Sequence, residues 1–151
     1  MEKEQIGRID GFLEAIASLK DDGTGFIFDF LGKGYEDDLP QLFDKYFSIN
    51  VSPITVKAVK NWATEVLPEL KHWILTRIRI VNDGDTKTID QRLFDRFIEE
   101  LLDSLSNPVQ WYVLNHTSNG NRIITTNEAM WHCFTIATPD GCYLLHCGWN
   151  S

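Results

Sequence analysis

The sequence predicts an α+β fold in which N-terminal helices pack on a mainly antiparallel C-terminal sheet, a β-meander. Three observations carry this expectation. Helical spacing of apolar residues recurs between residues 3 and 105, alternation and turn signals take over from Val109, and the chain closes on WHCFTIATPDGCYLLHCGWNS, which reads as a β-hairpin. With 151 residues, 43% of them hydrophobic, the whole chain (1–151) is expected to form a single domain that needs no staple.

Residues 3 to 20 place Ile6, Ile9, Leu13, Ile16 and Leu19 three or four apart, the pattern of a helix with one buried face, and Asp21-Asp22-Gly23 supplies the stop. The aromatic run Phe26 to Leu31 lies between glycines and predicts a short strand leading into an acidic loop. A short helix comes next, with Asp38 as cap and Pro40 in its first turn. Ser52-Pro53 resembles a second helix start, and Ile54, Val56, Val59, Trp62, Ala63 and Val66 extend a helical pattern that Pro68 ends or kinks. HWILTRIRIV, residues 72 to 81, alternates as a half-exposed strand, and NDGD turns the chain.

The strongest helical signal spans residues 88 to 105. Thr88 and Gln91 form a capping-box pattern there, and Ile89, Leu93, Phe94, Phe97, Ile98, Leu101, Leu102 and Leu105 make a broad apolar stripe. Pro108 closes it. Asn119-Gly120 signals a hairpin turn, as does Pro139-Asp140-Gly141. The helices are expected to cover one face of the sheet. If that face encloses a pocket with the tryptophans, a small-molecule module is a further possibility.

Charge narrows the function classes. The net charge is -8, which disfavours a nucleic-acid surface built on phosphate neutralisation and favours a basic protein partner. The charge is also uneven: Asp21 to Asp44 holds seven acids against the single base Lys33, interleaved with Phe26, Phe28, Phe30, Tyr35 and Phe43. Aromatic anchors beside complementary charge are what protein interfaces use. Asp29, Tyr35, Glu36, Asp37, Asp38 and Asp44 are therefore the expected partner-binding residues. No window approaches the ~18 consecutive apolar residues of a membrane span. The acidic N-terminal stretch lacks the basic and continuous apolar regions of a secretory signal, so the expected location is the cytoplasm, with reduced thiols.

All three cysteines and two of the four histidines lie in the terminal hairpin. Its register decides their chemistry. A three-residue loop with Gly141 as a bulge, the expected arrangement, sets Cys133 opposite Cys147, with Trp131, Trp149, Tyr143 and Leu145 on the same face. A two-residue loop instead sets Cys133 opposite His146, with His116 as a neighbour. Structural zinc needs four converging ligands where one sheet face offers two, so no metal and no cofactor are expected. The glycines near Phe26 lack the spacing of a phosphate loop, and NDGDT lacks that of a calcium loop.

Two functions are expected. The first is a small acidic binding protein that occludes a basic partner, in the physical class of immunity proteins and other inhibitors of toxins or nucleases, and is not an enzyme. The second is a thiol- or His-dependent hydrolase or transferase using Cys133, His146 and His116.

Overall fold

The computed structural model describes residues 1–47, 54–75, 91–116 and 130–149. Helix α1, Lys3–Lys20, starts at Glu2, whose backbone N–H donates to Gln5 Oε1 at 2.9 Å, and ends at Asp21 in the left-handed region (φ 46°). Strand β1, Thr24–Gly32, comes next, then a 3₁₀ turn at Glu36–Asp38 and helix α2, Leu39–Phe47. Strand β2 is Ile54–Ala58, and two short helices, α3 at Trp62–Glu65 and α4 at Leu67–Leu75, succeed it. Helix α5, Gln91–Ser104, precedes β3, Gln110–His116, β4, Met130–Thr138, and β5, Gly141–Trp149. The α+β expectation holds.

The five strands form one antiparallel sheet in the order β1-β5-β4-β3-β2. The meander β3-β4-β5 is its centre, and the two strands from the first half of the chain close its edges. Alternation along each strand sends residues to two separate cores. On one face Phe28, Phe134, Tyr143 and Leu145 pack under Leu13 of α1, Trp73 of α4 and Phe97 of α5. On the other, Leu114, Cys133, Cys142 and Leu144 pack under Leu39 and Phe43. Helices thus cover both faces, not the one expected, because α2 swings beneath the sheet after β1.

Two elements differ from the sequence reading. The helix expected from Pro53 to Val66 is a strand at Ile54–Ala58 and a helical turn at Trp62–Glu65. Ile54, Val56 and Ala58 fit a period of two as well as a helical period, and pairing with β3 decides between them (Val56 opposite Leu114). The strand expected over residues 72 to 81 is helical through Leu75; the rest of it lies outside the described residues. Leu70, Trp73 and Ile74 share one helical face, fully buried, and Pro68 sits in the first turn of α4, where its missing N–H costs nothing. The Thr88 cap, the NDGD turn and the Asn119-Gly120 hairpin lie outside the described residues.

The register of the last hairpin is also corrected. Thr138 pairs with Gly141, Cys133 with His146 and His132 with Cys147, so the two-residue loop is realised and Cys133 does not face Cys147. Glycine is required for a different reason from the one expected. Gly141 has φ +136°, and a Cβ there would come within 2.6 Å of the Phe30 ring and 3.0 Å of the Gly32 carbonyl oxygen. Close approach of β1, not a bulge, selects it.

Candidate functional site

The acidic segment divides into charges used internally and charges turned outward. β1 is an edge strand, and carboxylates occupy its outward N–H groups: Asp22 Oδ1 accepts from Thr24 at 3.0 Å, Asp10 Oδ1 from Phe28 at 2.9 Å, and Asp29 Oδ1 from Phe30 at 2.8 Å. Such capping blocks the unpaired ladder from recruiting another strand. Asp29 is half-buried, and its Oδ2 accepts from the Tyr46 hydroxyl at 2.7 Å. Burial first, and then this carboxylate, pushes the Tyr46 phenol far above its ordinary pKa. Asp44 is half-buried on α2, and its Oδ1 has no hydrogen-bond partner among the described residues.

After Gly32 the chain leaves the sheet. Asp38 Oδ2 accepts from the Tyr35 N–H at 2.8 Å, tying off the 3₁₀ turn, while Leu39 and Phe43 anchor helix α2 in the second core. The turn therefore projects from a fixed base. Tyr35 is 85% exposed, and Glu36 and Asp37 beside it are exposed too. Burial raises the Tyr112 phenol first, then the charges of Glu36, Cys142 and Asp37 and a side-chain hydrogen bond to Glu36, so Glu36 is exposed and at the same time engaged by Tyr112. Of the six residues expected to bind a partner, Tyr35, Glu36 and Asp37 form one outward cluster, with Asp38 half-buried behind them.

Two open grooves meet at Asp140, and one of them is lined by Tyr35. One, of about 750 Å³, runs from Lys33, Tyr35 and Asp38 to Pro139 and Asp140 at the hairpin tip. The other, of about 670 Å³, crosses the outer edge of β1 between α1 and α2, past Ile6, Asp10, Ile27, Asp29 and Phe30. Asp140 borders both. Phe30, Asp10 and Asp140 were not legible as site residues. Strand alternation puts Phe30 on the same face as Phe26 and Phe28, and only the strand's edge position leaves it 36% exposed. A third groove, of about 460 Å³, is lined by the stacked pair Trp62 and Trp111 with Leu102 of α5.

The cysteine and histidine cluster is interior. Cys133 and His146 face each other in the register that a thiol–imidazole pair requires, but they are 0% and 1% exposed. Cys142 and Cys147 are buried as well, and all three cysteines are reduced thiols outside any disulfide. The Cys142 thiol donates to the Gly34 carbonyl oxygen at 3.5 Å, and burial, helped by Asp38, holds its pKa above the ordinary thiol value. The backbone of His116 pairs with Ile54 at the end of β3; its side chain lies outside the described residues. His132, on the opposite face from Cys133, contacts α4 instead. Among the described residues no three His, Cys, Asp or Glu side chains converge as metal ligands, and no helix is long and apolar enough to cross a membrane.

The fold and this surface define an α+β domain whose open five-stranded sheet is covered on both faces and which carries an outward acidic–aromatic turn. Compared with known protein families, curated proteins and solved structures, the chain matches none.

Proposed function

We propose that this domain is a cytoplasmic binding protein that occludes a basic protein partner, as immunity proteins and other inhibitors of toxins or nucleases do. The observation that carries the reading is the exposed Tyr35 flanked by Glu36 and Asp37 on a turn anchored from below by Leu39 and Phe43. A tyrosine side chain has few rotatable bonds to fix on binding, and the adjoining charges speed encounter with a cationic surface. The net charge of -8 acts in the same direction over longer range. Buried thiols outside any disulfide suit a reducing compartment.

The test compares the wild-type domain with Tyr35→Ala and with Glu36→Lys/Asp37→Lys as baits in the native host, at low and moderate salt. Asp38 is left intact because it holds the turn. A basic protein retained in stoichiometric amount by the wild type and lost by both variants is the expected result. A partner set identical for all three baits, or one without a basic protein, overturns the reading.

Thiol-dependent hydrolase or transferase chemistry is the second reading, favoured by Cys133 standing opposite His146. The enclosure of both side chains supports it less than the exposed turn supports binding, since a nucleophile must reach its substrate.

A further inference from the structure

We infer that the groove across the outer edge of β1 receives an alkylammonium group, a lysine side chain of the basic partner. This deepens the binding reading and rests on it. The groove has an apolar floor, with Ile6, Ile27 and the partly exposed ring of Phe30, and three carboxylates around it, Asp10, Asp29 and Asp140. Lys3 and the N-terminal ammonium, 3.7 Å from Asp140, are the cations among its lining residues. The lining therefore keeps a negative balance suited to a cation with an aliphatic stem.

Phe30 is held ready for that role. Its ring lies over Gly141, where a Cβ would be only 2.6 Å away, and meets Tyr143 edge-on with centroids 5.4 Å apart. A fixed, partly exposed ring beside carboxylates is an arrangement that attracts ammonium groups. Strand addition is disfavoured as the binding mode because Asp22, Asp10 and Asp29 already cap the N–H groups of Thr24, Phe28 and Phe30 on this edge. The occupant is thus a side chain and not a backbone.

The same hydrogen bonds select lysine over arginine. A guanidinium binds best to two unencumbered carboxylate oxygens side by side. Asp29 uses both of its oxygens, on Phe30 N–H and Tyr46 O–H; Asp10 uses Oδ1 on Phe28 N–H; Asp140 uses Oδ2 on the Ser106 hydroxyl. No carboxylate in the groove presents a clear two-oxygen edge. A compact ammonium needs none.

The experiment titrates the isotopically labelled full chain with Nα-acetyl-lysine N-methylamide, and in parallel with the arginine analogue, following amide and methyl resonances at low ionic strength. Saturable shifts centred on Ile6, Ile27 and Phe30 are expected, with the lysine probe binding more tightly. Asp10→Asn, which keeps an acceptor for the Phe28 N–H, and Phe30→Ala should each weaken it by about threefold or more. Glu36→Gln/Asp37→Gln should not. Absence of saturation, shifts spread over the whole acidic surface, or equal binding of the arginine probe overturns the inference. The two readings fail separately: a host partner lost on reversal of Glu36 and Asp37, with no lysine probe in the groove, removes the groove alone. A lysine probe in the groove with no basic partner retained removes the partner reading alone.

Discussion

The indole Nε1 of Trp73 donates to Nδ1 of His132 at 2.8 Å, and this bond ties helix α4 to the central strand β4. Because Nδ1 is an acceptor here, the imidazole proton belongs on Nε2, which lies 3.9 Å from Glu69 Oε2. Burial, opposed by Glu69 and reinforced by His72 and His146, lowers the His132 pKa below its ordinary 6.5. Protonating Nδ1 would set two donors against each other.

The consequence is a pH dependence of stability with a definite sign. The folded-state pKa lies below the unfolded one, so the unfolded chain takes up the proton first as pH falls. Stability is therefore fully present above about pH 6.5 and declines below it, towards the folded-state pKa. Urea unfolding at pH 7.5 and at pH 5.5 should show the loss, and His132→Gln, which keeps an acceptor but does not titrate, should reduce it. An unchanged pH slope in that variant would show that His132 is not its source.

Lys20 and Asp22 form a buried pair at the junction of α1 and β1. Lys20 is 1% exposed, its Nζ donates to the Trp73 carbonyl oxygen, and it lies 3.8 Å from Asp22 Oδ2. Removing one charge breaks the pair inside the protein. Lys20→Met should cost about 3–5 kcal/mol in equilibrium unfolding, and adding Asp22→Asn, which can still accept from Thr24 N–H, should recover much of it. Strict additivity of the two substitutions would dismiss the coupling.

Gly141→Ala should destabilise the fold by about 2 kcal/mol, from backbone strain at φ +136° and from collision with Phe30. The two contributions separate in a double-mutant cycle. In a Phe30→Ala background the collision with the ring disappears, and a smaller penalty from the backbone conformation and the Gly32 carbonyl oxygen remains. Equal penalties in both backgrounds would mean that the ring does not select the glycine.

Native thiols should be slow towards an alkylating reagent near neutral pH. Cys133, Cys142 and Cys147 are all buried, so mass spectrometry should find no rapid adduct until denaturant is added and three afterwards. One fast native adduct at Cys133 would revive the thiol-enzyme reading.

Several elements were legible because their signals are local. The stripe Ile9, Leu13 and Ile16 makes α1, the run from Phe26 makes β1, the stripe Phe94, Phe97 and Leu101 makes α5, and the alternating ends of the chain make the last hairpin. The density of acids around Tyr35 was visible in the same way. Which of those acids face outward was not, since Asp29 is taken by Tyr46 and Phe30 while Glu36 and Asp37 are left exposed.

The sequence by itself determined the fold class, the helices with a single apolar stripe and the charge that singles out residues 21 to 44. Tertiary structure decided the rest wherever one stretch satisfied two patterns. Ile54, Val56 and Ala58 became a strand through their pairing with β3, and Trp73 and Ile74 became helical because that face seals the core. The hairpin took the register that places Gly141 against Phe30 and Cys133 opposite His146. Local periodicity measures how a segment's own side chains are spaced; register and exposure depend on which distant surface buries them, and that surface exists only once the sheet has formed.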